Sequence, residues 1–541
     1  MQQLQTLDYL VFFFYFIMVS GYGYWIYQRK RSKVESTKDF FLAEGSLTWW
    51  AIGASLIASN ISAEQFIGMS GNGFSMGLAI STYEWMAAAT LVIVAVFFMP
   101  IYLKNRIYTM PQFLSQRYNP TVSLIMAVFW LALYILVNLT SILYLGALAV
   151  SGISGLDFTF CMIALAVFAI IITIGGMKVI GFTDVIQVFF LVIGGLATTY
   201  LAVNLVTGVD GISLDGMFQG MQMMRDNHDD HFHMIFPKSS PFYMQLPGLT
   251  VLLGGMWIVN LNYWGCNQYI TQRALGADLK TARNGILFAA FLKLLMPVIV
   301  VLPGIAAYAL YSKGMFQAEM LGPDGSINPD KAYPVLLNLL PAGLKGLSFA
   351  ALTAAVVASL AGKANSISTI FTLDIFKNYI GKNADEKTLV KIGRWVVVVS
   401  MILAIVVSPY MGIDKKGGFQ FIQEMTGLLS PGIFASFIMG FFWKRTNSAG
   451  ALFAIVGGFL IALGMHNDYL PFMDWTQVPF LDRMGLVFLI CVVVMFILGL
   501  VMPDEKQGLA IDVSMFMPHR GFVFGAAVVI TLISVLYYTF W

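Results

Sequence analysis

The sequence predicts an all-α integral membrane protein of about fourteen transmembrane helices, with a discontinuous first helix in each of two inverted repeats. Three observations lead there. Of 541 residues, 58% are hydrophobic and 11% charged, with a mean hydropathy of +0.78. Apolar runs of about eighteen or more residues recur from end to end, each long enough to cross a bilayer. Two of the runs are polar in the middle, at Ala58-Ser-Asn-Ile61 and Asn260-Leu-Asn-Tyr-Trp264. Hydrocarbon offers no water to a backbone that opens at that depth, so a broken helix is tolerated only where protein encloses it. The composition also excludes classes. A net charge of +3 is too small and dispersed for nucleic acid. Cys161, Cys266 and Cys491 are too far apart for a disulfide framework or a metal motif. No G-x-x-x-x-G-K-[ST] stretch is present, so an ATP-driven pump is not expected.

Taken in order, the spans fall at about 8–27, 46–72, 80–103, 121–150, 156–176, 181–207, 247–269, 284–312, 345–376, 388–411, 419–443, 448–466, 483–502 and 521–541. The first lacks a small-residue cleavage site and reads as a retained span. Arg29, Lys30, Arg31, Lys33 and Lys38 follow it, which makes that loop cytoplasmic and the N-terminus external. Alternation then places roughly twenty-one Lys and Arg residues on the cytoplasmic side and about eight outside, with both termini extracytoplasmic. The domain organisation is 1–45 for the first span and basic loop, 46–207 for one repeat (spans two to six), and 208–246 for an extracellular loop. A second repeat of opposite topology follows at 247–443 (spans seven to eleven), then peripheral spans at 444–541. Loop 208–246 carries His228, His231 and His233, which suit a solvated polar loop better than a metal site. A second external loop, 313–344, reads as a short lid with Pro323, Pro329 and Pro334.

Polar residues inside the spans are the candidate functional groups. The stretch Ser55-Leu-Ile-Ala-Ser-Asn-Ile-Ser-Ala-Glu-Gln-Phe66 crowds Ser59, Asn60, Ser62, Glu64 and Gln65 into one apolar segment, just ahead of Gly71 and Gly73. Glu84 lies near the outer end of the third span. Lys293 sits about nine residues into the eighth, near ~13 Å of depth, where an unpartnered lysine costs about 2.5–3.5 kcal/mol on insertion scales. Asn260 and Gln423 add amides from other spans, and Tyr263 and Trp264 add aromatic faces. Amides, one acid, one base and rings suit a neutral polyhydroxylated ligand. An amino-acid carrier would need fixed poles for both ligand charges. Each polar residue alone is also compatible with interhelical glue, and convergence on one cavity separates the two. A sugar-gated membrane sensor is the rival from another class. A glycosidase built on Glu64 and Glu84 lacks any sign of a water-lined cleft, so the chain is not expected to be an enzyme.

Motifs along the whole chain then resemble a known family. They are Ala54-Ser-Leu-Ile-Ala-Ser-Asn-Ile-Ser-Ala-Glu-Gln-Phe-Ile-Gly-Met-Ser-Gly71, Tyr83-Glu-Trp-Met86, Thr183-Asp-Val-Ile-Gln-Val-Phe-Phe190, Asn267-Gln-Tyr269 and Thr369-Ile-Phe-Thr-Leu-Asp374. The chain resembles the sodium/solute symporter family, within it the sodium/glucose cotransporter type, nearest the bacterial sodium/galactose branch. The resemblance implies a five-plus-five inverted-repeat core and a multi-pass protein of the plasma (inner) membrane. It also implies inward transport of a hexose, galactose or glucose, by alternating access, with sodium as the coupling ion. The partners implied are thus a monosaccharide, a monovalent cation and the bilayer, with no ATP and no nucleic acid. The family's sugar ligands fall on Asn60, Gln65, Glu84, Asn260, Lys293 and Gln423. Its inner gate falls on Tyr263, with Tyr83, Tyr134, Asn138 and Trp264 lining or bracing it. A serine three residues after the glutamate is Ala87 here, a lost hydroxyl worth about 1 kcal/mol.

The implied sodium site comprises carbonyls at Ala58, Ile61 and Ala355 and two adjacent hydroxyls, of which Ser359 is present and the other is Ala358. One turn on, at an apolar position in the family, stands Lys363. Residues 355, 359 and 363 share a helix face, and side chains lean toward the helix N-terminus, so the ammonium is aimed at the sodium cavity, with Asp184 as candidate counter-ion. Three readings stay open. Lys363 pairs with Asp184 or snorkels while sodium binds weakly, or stands in for sodium in a sodium-independent carrier, or exchanges its proton and makes protons the driver. The stakes are large: one charge moving down ~100 mV supplies about 2.3 kcal/mol, roughly fifty-fold accumulation, and a fixed ammonium supplies none.

Overall fold

A computed structural model describes residues 4–30, 40–41, 47–209, 211–322, 325–410, 418–502 and 509–541. Most of the basic loop, including Arg31, Lys33 and Lys38, lies outside them, as does Pro323. The described residues are helical, apart from short 3-10 turns, connections and one antiparallel bridge between Leu321 and Ile327. Ten helices among them are long and apolar enough to cross a membrane. They are eleven if Phe421–Gly427 and Ser430–Phe442, bent by 46°, form one span. That measure does not reach the expected fourteen, for identifiable reasons. The segments leading into the two breaks, Trp49–Asn60 and Gly255–Gly265, have only 12 and 11 residues, and Phe158–Ile174 has 17. The run Glu64–Lys104 has 41 residues, about twice the hydrocarbon thickness. It is interrupted at Gly77, whose φ of +72° an L side chain rarely adopts and whose Cα faces the His231 backbone too closely for a Cβ.

Both expected interruptions exist, and one is displaced. The first helix stops at Asn60 because Ile61 is extended (φ −86°, ψ 111°). The next starts on a reciprocal exchange: the Ser62 hydroxyl accepts the Glu64 amide at 3.2 Å, and the Gln65 side-chain carbonyl accepts the Ser62 amide at 2.9 Å. Ser62 and Gln65 thus tie together the start of the next helix with buried side-chain bonds. In the second repeat the polar stretch Asn260–Trp264 remains helical inside Gly255–Gly265, and the break comes at Cys266 and Asn267. Polar content there marks a lined face, and the opening follows where an Asn can cap the next segment: the Asn267 side chain accepts the Tyr269 amide at 3.1 Å.

Close helix crossings position the site. Gly53 on the first broken helix meets Gly285 on Leu279–Val300, where a Cβ on Gly53 would lie 2.7 Å from the Gly285 carbonyl oxygen. This approach sets Asn60 beside Lys293, two turns further along the two helices. At the opposite end, loop 208–246 is more structured than a solvated loop. It contains the helix Leu214–Asn227, and His231 is buried, stacked at 4.0 Å on Tyr308 and 3.1 Å from the Phe74 carbonyl oxygen. No group of three or more metal-binding side chains occurs among the described residues. Phe540 packs against this loop, its carbonyl accepting the Met234 amide, and Asp8 accepts the Gly343 and Gly346 amides at 2.7 and 2.8 Å.

Candidate functional site

The polar groups of the spans meet around the first break. Lys293, 1% exposed, donates to Glu84 Oε2 at 2.5 Å and to Asn60 Oδ1, and its ammonium stands 5.2 Å from the Trp264 ring centroid. The Asn60 amide donates in turn to the Tyr263 hydroxyl at 3.1 Å. Four segments therefore close on one centre: the first broken helix, Thr82–Ile93, Leu279–Val300 and Gly255–Gly265. A buried charge pair of this kind is held by its hydrogen bonds; removing one member leaves the other charge unsolvated.

The remaining sugar candidates stand at different removes. Asn260 is buried one turn before Trp264, with its amide spent on its own helix at the Met256 carbonyl, 3.1 Å away. Gln65 gives its carbonyl to Ser62. Gln423, on Gly418–Gly427, lies beside the Tyr83 hydroxyl. Tyr83 packs edge-on against Phe419 at 5.1 Å. Ala87 is fully packed, so no side-chain oxygen faces the centre from that position.

The carbonyls freed by the first break form a second cluster four residues wide. The Ser359 hydroxyl lies 3.3 Å from the Ala58 oxygen, 3.0 Å from that of Ser59 and 3.3 Å from that of Ile61. One hydroxyl proton serves one of these acceptors at a time. The Tyr269 hydroxyl donates to Ser59 from the other side. An excess of neutral oxygens around one hydroxyl is the chemistry that accepts a hard cation. Ala355 lies one turn back on the same helix as Ser359, and Ala358 adds no side-chain oxygen.

The counter-ion assignment needs correction. Asp184 does not pair with Lys363. Its carboxylate accepts the Ser55 hydroxyl at 2.5 Å and faces Arg273 at 4.0 Å. Arg273 also donates to the Ser55 carbonyl and hydroxyl (3.0 and 2.9 Å) and to the Tyr269 carbonyl at 2.5 Å. Nor does Lys363 enter the carbonyl cluster. Its ammonium donates to Asn138 Oδ1 at 3.0 Å and lies 4.0, 4.9 and 6.0 Å from the ring centroids of Tyr269, Tyr134 and Tyr263. Arg273, Tyr269 and Ser55 escaped the sequence reading. A signal was present in Asn267-Gln-Tyr-Ile-Thr-Gln-Arg273, where a tyrosine and an arginine four apart share a face just past a break.

Comparisons with known proteins agree with this architecture. Residues 40–458 match the model of the sodium:solute symporter family. The chain is 47% identical to a sodium/glucose cotransporter of Vibrio parahaemolyticus over 99% of each chain. It is 34% identical to the human sodium/myo-inositol cotransporter 2, covering 84% of this chain and 69% of that one. Among solved structures, a Na+-coupled sialic acid symporter in a substrate-bound outward-open state shares the fold, with a TM-score of 0.79 at 21% identity over 93% of this chain and 99% of that one. Mhp1, a nucleobase-cation-symport-1 family transporter, shares it more distantly, with a TM-score of 0.52 at 15% identity over 87% and 98%. By its matched sequence, this chain belongs to the sodium:solute symporter family.

Proposed function

We propose that this protein carries a hexose, galactose or glucose, into the cell together with sodium by alternating access. The observation that carries the reading is adjacency. Asn60, which hydrogen-bonds both Lys293 and Tyr263, sits between the carbonyls of Ser59 and Ile61 that surround Ser359. A cation drawn to Ala58, Ile61, Ala355 and Ser359 would fix the backbone of the break and with it the side chain of Asn60. Sugar hydroxyls would then replace the bonds that Asn60, Glu84 and Lys293 make to one another, with Gln65, Asn260 and Gln423 supplying further amides. Trp264 and Tyr263 offer ring faces to the apolar side of the sugar, and Tyr263 closes the path until the Asn60 bond is exchanged. Glucose and myo-inositol, named for two of the relatives, are both cyclic polyols, the ligand class this donor and acceptor set suits. Loops 208–246 and 313–344 would face outward, as the basic residues expect.

The test is labelled galactose and glucose uptake into proteoliposomes under an inward sodium gradient, a potassium gradient or a proton gradient. Sodium-driven accumulation is expected. Sugar binding without accumulation would instead identify a sensor, and accumulation driven equally by every gradient would remove the sodium coupling.

A further inference from the structure

Lys363 is 4% exposed, one turn beyond Ser359 on Leu344–Thr369, about 6 Å further along the axis. Three tyrosine rings and Asn138 surround its ammonium, the geometry by which aromatic faces hold a cation. One of those rings ties it to the carbonyl cluster: Tyr269 faces the ammonium at 4.0 Å and donates its hydroxyl to the Ser59 carbonyl. The charged groups that act on Lys363 are Glu64, of opposite sign, and Arg273, of like sign. Arg273 is matched by Asp184. By formal charge, Lys363 and Arg273 stand against Glu64 and Asp184 around the first break, and the Lys293–Glu84 pair beside them adds no net charge.

We propose that Lys363 is a resident cation that sets the strength of sodium binding at the neighbouring cluster. With the lysine in place, an entering sodium raises the local charge to +1. Without it, sodium would cancel a net charge of −1. The parent protein accordingly binds sodium weakly and releases it readily. This inference rests on the sodium site of the proposed function. Its test does not depend on which sugar is carried.

Binding of radioactive sodium to the purified full chain is measured by scintillation proximity for the parent, Lys363→Met, Lys363→Gln and Lys363→Arg. The two neutral variants are expected to bind sodium at least about tenfold more tightly, as befits removal of a like charge roughly one to two helical turns away. The arginine variant should stay within about threefold of the parent, because it keeps the charge. A lysine that only braced the tyrosines would leave the arginine and glutamine variants equally displaced from the parent. Unchanged or weaker sodium binding in both neutral variants overturns the inference and leaves the sodium site standing. A parent blind to sodium whose neutral variants bind it supports the inference and overturns sodium coupling in the parent. Sodium binding by none of the four proteins overturns both.

Discussion

The two breaks arise from equivalent positions of an inverted pair, yet they end in different chemistry. At the first, the extended residue Ile61 leaves the carbonyls of Ala58, Ser59 and Ile61 gathered around a single serine hydroxyl, with Tyr269 donating to one of them. At the second, Asn267 fills its own opening: its side-chain carbonyl takes the Tyr269 amide and the Tyr134 hydroxyl, and the Cys266 amide returns to the Asn262 carbonyl at 3.0 Å. Topology supplies two openings, and the residues at each decide whether it is sealed or left rich in acceptors. A sealed opening holds structure; an acceptor-rich one has capacity for a cation.

Substitutions at and around the two breaks test that contrast. The largest effect is expected from Lys293→Met, which leaves Glu84 buried without its partner: about 3–5 kcal/mol of stability lost and sugar uptake reduced at least about hundredfold, read by thermal unfolding and proteoliposome transport. Next comes Ser359→Ala at the open break, which removes the hydroxyl from the carbonyl cluster. Half-saturating sodium should rise about ten- to hundredfold, with little change in melting temperature, consistent with a lost ligand worth about 1.5–3 kcal/mol. Asn267→Ala at the sealed break should do the reverse. Stability falls by about 1–2 kcal/mol through loss of the cap, and half-saturating sodium stays within about twofold. If Asn267→Ala weakened sodium as much as Ser359→Ala, the contrast between the breaks would be false. The smallest effect sharpens it: Ala358→Ser adds a second hydroxyl and should tighten sodium several-fold, about 1 kcal/mol, in the same binding measurement.

Much of the architecture was legible because the bilayer makes polar residues expensive. Asn60, Glu84 and Lys293 stood out in apolar runs, and the structure brings all three into contact. What the residue pattern could not resolve was partner choice at the end of the long Lys363 side chain. Spacing along the helix aimed it at Ser359, and side-chain lean alone suggested the sodium cavity. The winning contacts instead come from three tyrosines and an asparagine on other segments, whose convergence no local pattern reveals. Asp184 was misassigned for the same reason, since its partner Arg273 follows a break whose direction the sequence does not state. The displacement of the second break has a different lesson. Tyr263 meets Asn60 from within an unbroken helix, and the opening lies where Asn267 can cap, so polarity and discontinuity are separate signals.

In the proposed transport cycle, cation and sugar are held side by side on residues 58–61, so that each strengthens the other. Reciprocal binding to the purified protein reads that coupling: galactose and glucose affinity with and without saturating sodium, and sodium affinity with and without saturating sugar. Linkage requires the two factors to be equal, and a shared factor of about ten or more is expected for at least one of the sugars. Sugar affinities that do not change when sodium is replaced by potassium would contradict it.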